Sequence, residues 1–460
     1  LTEITPDAHL FFKEKPVTLS MILNRVAALL FVCISVTSCV TMKQNLKSKK
    51  ITKSILEDEV LQDHFTGFVL HDPEANENLI ELNADKFFTP ASNTKLITFY
   101  GGLMALGDSI PGLIYETRND TLFFTGTGDP TFLNPDFNNQ VAFDFISNSP
   151  LHLAYVTPNF KDDIHAPGWT WEDYEYYFQA ERSGFPVYAN EVHFIYDTLR
   201  HEFDILPRFF EDQVQLYETF EKTYSHARNL HANIFHFAPD TARSAYKNRI
   251  PFQTSDELTL ALLQDTLHRK VHLAQNFEFE YPQTIYSIES NDIYALMLKR
   301  SDNFIAEQLQ YLATSELKIE MNSTAFRNQL LLRELYPYRE QLVWKDGSGL
   351  SRYNLVTPQF MISLMKLILA EITIDRFKSL LPTGGTDGTI KGWYKPEEGQ
   401  PPYIYAKTGT LSNNHNLTGI IHTQSGKDLL FTFMNNNYRG SSYPVKSEMQ
   451  KILKHIHETY

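Results

Sequence analysis

The chain carries only two cysteines in 460 residues, Cys33 and Cys39. Both stand near the start, so no disulfide can staple the remainder, and stability must come from burial of apolar surface. Positive charge is also short. Forty-one Lys and Arg against 55 Asp and Glu leave a net charge of -14, which excludes the broad cationic face that a phosphate backbone requires. No P-loop or dinucleotide fingerprint offsets that, and nucleic acid is not an expected partner. A metallohydrolase would need clustered ligands, and the histidines do not supply them. His268 and His272 stand four apart, as ligands on one helix would, while His226, His231 and His236 step by five, which matches no common ligand spacing. No H-E-x-x-H is formed, so neither a metal nor another cofactor is expected. Hydrophobic residues make up 42% of the chain, enough for a sizeable core divided into two or three compact units.

Three short strings run in order along the chain: Ser92-Asn93-Thr94-Lys95, Ser301-Asp302-Asn303 and Lys407-Thr408-Gly409. They spell S-x-x-K, S-D-N and K-T-G. A serine with a lysine one helical turn on, a second serine with an amide, and a strand-end lysine are the parts that activate a hydroxyl and hold an anionic substrate. S-x-x-K alone is weak, because it occurs four times. Ser315 and Ser363 fall after the S-D-N. Ser244 keeps the order, but Pro251 follows too closely for a helix that would present serine and lysine on one face. Ser92 is followed by Leu96, Ile97, Phe99, Tyr100, Leu103, Met104 and Leu106, an apolar helix able to anchor the pair.

A coarse reading places these strings on elements. Residues 66–71 and 79–82 are apolar runs around an Asp-Pro-Glu-Ala-Asn-Glu-Asn turn, which predicts a hairpin before the Ser92 helix. Residues 403–407, 417–423 and 428–434 predict three more strands, and 445–457 a last helix. Further strands are expected at 120–125 and 187–194. Five strands drawn from both ends of the chain imply one antiparallel sheet closed by terminal helices, with the middle of the chain inserted. The aromatic stretches 174–178 and 209–217 read as packing.

The first fifty residues concern address. After Met21 come Arg25, an eleven-residue apolar stretch Val26–Val36 and then Val36-Thr37-Ser38-Cys39, which resembles a bacterial lipoprotein signal ending at the cysteine to be lipidated. Eleven residues are too few to span a bilayer. Residues 1–20 read as upstream translation. Lys43, Lys47, Lys49, Lys50 and Lys53 follow, and such a run can rest on anionic headgroups or act as a plain solvated tether.

The segment Phe88-Thr-Pro-Ala-Ser-Asn-Thr-Lys-Leu96 resembles the active-serine segment of low-molecular-mass class C penicillin-binding proteins, the D-alanyl-D-alanine carboxypeptidase/endopeptidase family of serine peptidases. Gly126-Thr-Gly-Asp-Pro-Thr131, Trp169-Thr-Trp171-Glu-Asp173, Asp346-Gly-Ser-Gly-Leu-Ser-Arg352 and Thr386-Asp-Gly-Thr389 sit where that family carries similar strings. The likeness runs from about 60 to 450. It implies an α+β, penicillin-recognising serine transpeptidase/β-lactamase-like fold, an antiparallel five-stranded sheet with helices and inserted accessory subdomains. The expected division is 1–38 upstream segment and lipoprotein signal, 39–55 tether, 56–115 with 283–460 catalytic, and 116–282 inserted.

The resemblance also implies roles. Ser92 would attack a D-alanyl-D-alanine bond, Lys95 would take its proton, Ser301 would pass a proton to the leaving amine, and Asn303 would hold the substrate backbone and Lys95. Lys407 and Thr408 would bind the terminal carboxylate, and Gly409 would let the substrate approach as an extra strand. The amides of Ser92 and Thr410 would form the oxyanion hole. Asp173, Phe178 and Arg352 would line a pocket for the diamino-acid side chain, although Ser412 stands where some relatives carry glutamine. Burial and the charge of Lys407 are both expected to lower the Lys95 pKa. The implied partners are peptidoglycan stem peptides and β-lactam inhibitors, with a membrane reached through lipid on Cys39 at the periplasm-facing bacterial envelope. A β-lactamase or esterase on the same fold, or an inactive wall-binding lipoprotein, are the alternatives. A class A β-lactamase would also carry Glu-x-x-x-Asn, for which the chain has no convincing candidate.

Overall fold

The computed structural model describes residues 46–138, 140–197, 202–217, 226–238 and 245–460. The lipoprotein signal, Cys39, Lys43 and the decoy Ser244 lie outside these residues. Two compact units are present, 1–53 and 54–460. In the first, the described residues 46–53, which carry Lys47, Lys49, Lys50 and Lys53, are helical. No described helix is long and apolar enough to cross a membrane.

The larger unit is organised by a five-stranded antiparallel sheet in the order Ile404–Leu411, Asn414–His422, Asp428–Asn436, Phe65–Asp72, Glu77–Leu82. Every neighbouring pair is antiparallel. All five strands expected from the sequence are therefore present and joined across the two ends of the chain. The strands Asn414–His422 and Asp428–Asn436 are buried almost throughout, because helices cover both faces. That is why they carry apolar residues on both sides instead of alternating. On one side lies the helix Tyr443–Thr459, which buries Val445, Met449, Ile452, Leu453 and Ile456 at helical spacing.

On the other side the helices Lys95–Ala105, Asn303–Glu316 and Pro358–Glu371 share one core with the sheet. Leu96, Ile97, Phe99, Ile305, Leu309, Leu312, Phe360, Leu364, Leu430 and Met434 all belong to it. Gly101 and Gly102 let the serine helix sit close to its neighbours. A Cβ at Gly101 would stand 2.6 Å from the Phe326 ring, and one at Gly102 would stand 2.9 Å from Tyr294.

The middle of the chain builds further sheets. A mixed five-stranded sheet runs Val271–Ala274, His152–Val156, Thr121–Gly126, Ser109–Arg118, Gln283–Glu289. Thr121–Gly126 pairs parallel with His152–Val156, and such a pair needs a crossover, here occupied by the helix Val141–Ser147. The expected boundary at 115/116 falls inside Ser109–Arg118, which pairs with Gln283–Glu289. Ala245–Pro251, Glu191–Asp197 and Glu202–Leu206 form a three-stranded sheet, and Val214–Leu216, Phe235–Phe237 and His226–Arg228 a smaller one. The strand expected at 187–194 begins later, at Glu191, because Tyr188, Ala189 and Asn190 adopt positive φ in a tight turn.

These sheets share a second, aromatic-rich core that includes Phe124, Phe132, Phe185, Phe194, Phe210, Phe235, Phe237 and Phe252. Phe210 contacts the Phe235 and Phe252 rings at centroid distances of 5.4 and 5.3 Å. His268 and His272 do not share a helix. His268 is the left-handed cap that ends Asp256–Leu267, and His272 lies on the following strand.

Leu309 is buried where the helix Asn303–Glu316 meets the serine helix, so Leu309→Ala should lower unfolding free energy by about 2–5 kcal/mol. Urea denaturation followed by circular dichroism checks this. A loss below about 1 kcal/mol would place the residue outside the tight core.

Candidate active site

The serine turn is shaped by its backbone. Ala91–Thr94 forms a 3-10 turn that runs into the helix Lys95–Ala105. Ala91 has φ of 49°, a left-handed conformation that costs a non-glycine residue about 1–3 kcal/mol and persists only where its surroundings enforce it. Gly349 is one such surrounding. Its own φ is 82°, and a Cβ there would stand 1.9 Å from the Ala91 carbonyl oxygen. Gly409 presses on the same turn, since its Cβ would stand 2.2 Å from the Pro90 carbonyl oxygen and 2.9 Å from the Asn93 nitrogen. Glycine at 409 thus lets the K-T-G strand seat against the serine turn. Asn93 Nδ2 ties the turn to the sheet through Thr418 Oγ1 at 2.8 Å, and Thr418 shares a hydrogen bond with Thr432 at 2.7 Å.

Lys95 is fully buried, and all three of its ammonium hydrogens have acceptors. They are Ser92 Oγ at 3.0 Å, Asn303 Oδ1 at 2.6 Å and the Ser348 carbonyl oxygen at 2.6 Å. Burial pulls the Lys95 pKa down from 10.5 to about 8, against the carboxylates of Asp346, Asp302 and Glu307, which hold it up.

The S-D-N string is a tight joint between two helices. Ser301, with φ of 60°, is the left-handed cap ending Ser290–Arg300. Asp302 caps the next helix by accepting from the Ile305 amide at 2.9 Å, and Asn303 is its first residue. This places Ser301 Oγ 2.8 Å from Lys407 Nζ. Lys407 also donates to the Thr408 carbonyl oxygen at 2.8 Å. It is fully buried, and burial, then the charge of Lys95, press its pKa well below the ordinary value. Burial is the leading cause at both lysines, and the charge of Lys95 adds to it at Lys407.

Ser92, Ser301, Thr408 and Thr410 open onto a cleft of about 250 Å³, which Thr389 and Trp393 also line. Thr408 donates to Thr389 Oγ1 at 2.8 Å. Thr410 Oγ1 shares a 2.8 Å hydrogen bond with His415 Nδ1. Burial, with Lys446 and Lys407 adding to it, holds the His415 pKa down to about 3, so the pair does not titrate near neutral pH. Asp173, Phe178 and Arg352 do not line this cleft. Phe178 meets it indirectly, its carbonyl oxygen accepting from Asn303 Nδ2 at 2.8 Å. Burial, then Glu172, raises the Asp173 pKa, and nearby Arg352 lowers it. Arg352 is exposed and donates to the Ser412 carbonyl oxygen at 3.4 Å.

Several supporting residues escaped the sequence reading. The fully buried Asp346 carboxylate accepts from the Gly349 amide at 2.8 Å, the Ser351 amide at 2.6 Å, Asn354 Nδ2 at 2.7 Å and Trp169 Nε1 at 2.9 Å. It folds the loop that presents the Ser348 carbonyl to Lys95. Buried Glu307 accepts from the Ser348 amide at 2.7 Å and faces the buried Arg182 at 3.6 Å. Burial, then Asp346, raises the Glu307 pKa. Asp346 stood in a quoted string without a role, whereas Glu307 and Arg182 carry no motif that could have marked them.

Comparison with known proteins gives a consistent picture. The model of the D-Ala-D-Ala carboxypeptidase 3 (S13) family matches residues 48–203 and 245–459. The D-alanyl-D-alanine carboxypeptidase DacB of Haemophilus influenzae is 24% identical over 454 residues, covering 89% of this chain and 93% of that protein. A D-alanyl-D-alanine carboxypeptidase of Actinomadura sp. is 23% identical, covering 84% of this chain and 80% of that protein. Among solved structures, penicillin binding protein 4 of H. influenzae superposes with a TM-score of 0.70 at 21% identity, covering 89% of this chain and 99% of the other. The same protein complexed with a novel β-lactam superposes with a TM-score of 0.63 at 19% identity, again over 89% and 99%.

Because the Ala91 carbonyl occupies the space a side chain at 349 would need, Gly349→Ala should lower the melting temperature by several degrees. It should also slow modification of Ser92 by a β-lactam at least tenfold. Calorimetry and timed mass spectrometry check both, and wild-type values would show that the turn does not depend on this contact.

Proposed function

The chain belongs to the D-Ala-D-Ala carboxypeptidase 3 (S13) family, a low-molecular-mass class C penicillin-binding protein and a serine peptidase, and from that premise we propose how its residues act. The substrate is the D-alanyl-D-alanine end of a peptidoglycan stem peptide, and D-alanyl cross-links are the related target. The observation that carries the reading is Lys95 Nζ held between Asn303 Oδ1 and the Oγ of the cleft-lining Ser92.

With a pKa of about 8, roughly one Lys95 in ten is neutral at pH 7, against about one in a few thousand for a free lysine. Neutral Lys95 takes the Ser92 proton as Oγ attacks the scissile carbonyl carbon. The backbone N–H groups of Ser92 and Thr410, both residues of the cleft wall, receive the oxyanion, and one such donor is worth on the order of a hundredfold to a thousandfold in rate. The C–N bond then breaks. The amine leaves with the proton that Lys95 took from Ser92, passed on through Ser301, whose Oγ is hydrogen-bonded to Lys407. Water then attacks the acyl carbonyl carbon, giving a proton to the again neutral Lys95, which returns it to Ser92 Oγ as the ester bond breaks and the shortened peptide leaves. Asn303 keeps Lys95 aimed and holds the substrate backbone, and Thr408 and Thr410 offer hydroxyls to the terminal carboxylate. Asp173, Phe178 and Arg352 serve the diamino-acid side chain.

Residues 56–115 and 283–460 make the catalytic part, supported by a sheet drawn wholly from 65–82 and 404–436, and 116–282 are inserted. Lipid on Cys39 fixes the enzyme to a membrane of the bacterial envelope, facing the periplasm, and β-lactams inhibit it as slowly hydrolysed acyl donors.

Benzylpenicillin should give a stable adduct on Ser92 by intact-mass and peptide mapping, none in Ser92→Ala, and acylation slowed roughly a hundredfold or more in Lys95→Ala. An equal rate in the Lys95 variant would remove its role. The neutral amine is the active form and grows as pH rises through the Lys95 pKa, so acylation should climb with pH to a plateau above about 8. Asp302→Asn keeps a capping side chain but removes a charge that holds this pKa up, so its rising limb should move to lower pH. A limb that stays in place would contradict the assigned electrostatics.

A further inference from the structure

One lysine belongs to the cleft without belonging to any of the three strings. Lys446 sits in the first turn of the helix Tyr443–Thr459, which Pro444 opens. It lines the cleft together with Ser92, Thr408, Thr410 and His415, and it is the one Lys or Arg among the described cleft-lining residues. It is half-buried, and among the described residues its ammonium makes no hydrogen bond or ion pair. Burial lowers its pKa. His415 feels the charge of Lys446, and His415 Nδ1 is 2.8 Å from Thr410 Oγ1. Lys446, His415 and Thr410 thus line one cleft.

The two motif lysines are engaged elsewhere. Lys95 spends its three hydrogens on Ser92, Asn303 and Ser348. Lys407 donates to Ser301 and to the Thr408 carbonyl, and it is fully buried. Neither lines the cleft. Thr408 and Thr410 present hydroxyls, which order a carboxylate but do not neutralise it. A partly desolvated carboxylate with only hydroxyl partners is costly, and an unpaired ammonium at the same place meets that need.

We propose that Lys446, together with the hydroxyls of Thr408 and Thr410, receives the carboxylate of the leaving residue. Lys446 is then a specificity residue that selects substrates ending in a free carboxylate, and Lys407 serves proton traffic at Ser301. The inference rests on the acyl-serine reading above.

The test compares acylation of Ser92 by benzylpenicillin, which carries a carboxylate, with acylation by its methyl ester, which does not. In Lys446→Ala the rate constant for the acid should fall roughly tenfold to a hundredfold, the scale of a charge-assisted hydrogen bond, while that for the ester should change by less than about twofold. Lys446→Arg should recover most of the loss, and Lys446→Glu should slow the acid further. An equal fall for acid and ester in Lys446→Ala would make the residue merely structural, and an unchanged rate for the acid would remove it from recognition. Either result overturns the inference while leaving Ser92 modified. Absence of any Ser92 adduct in the wild type would instead overturn the acyl-serine reading.

Discussion

The molecule depends on keeping a lysine side chain entirely out of water. An ammonium buried without partners would cost several kcal/mol, and three acceptors spread over the chain meet Lys95 instead: Ser92, Asn303 and the Ser348 carbonyl. Each acceptor needs its own support. Asp346 folds the loop that carries Ser348, Asp302 fixes the helix that begins at Asn303, and Gly349 and Gly409 hold the turn that carries Ser92. Desolvation lowers the lysine pKa while the surrounding carboxylates limit the fall, so a group that is ordinarily a poor base near neutral pH becomes a usable one.

The second lysine follows from the first. Both lysines are fully buried, and burial, then the charge of Lys95, lowers the Lys407 pKa. In the proposed mechanism its contact with Ser301 is a route for protons. This separates two tasks that a sequence motif merges, activating the hydroxyl and holding the anion. For the second, we propose Thr408, Thr410 and a cleft-lining lysine from the terminal helix, a residue some forty positions beyond the last motif.

Much of this was legible in the sequence because it depends on local periodicity or on fixed spacing. The hairpin near residue 70, the three late strands and the closing helix each announce themselves by apolar runs and turn residues. Ser92 and Lys95 share a helix face by spacing alone. What was not legible depends on long-range packing. Nothing local marks Glu307 or Arg182, whose significance is their burial against Asp346. Gly409 was expected to admit substrate, and packing shows a further reason for its missing side chain, the room taken by Pro90 and Asn93. The strand expected from 187 started at 191 because three successive positive φ values interrupt it.

The central claim is that burial makes Lys95 a base of unusual weakness for a lysine. Its titration can be followed directly by NMR on protein carrying isotope-labelled lysine, with the resonance assigned by its loss in a Lys95→Met variant. A midpoint near 8 is the predicted result. A midpoint near the ordinary value of 10.5 would contradict the account, because the residue would then be charged in nearly every molecule when Ser92 must lose its proton.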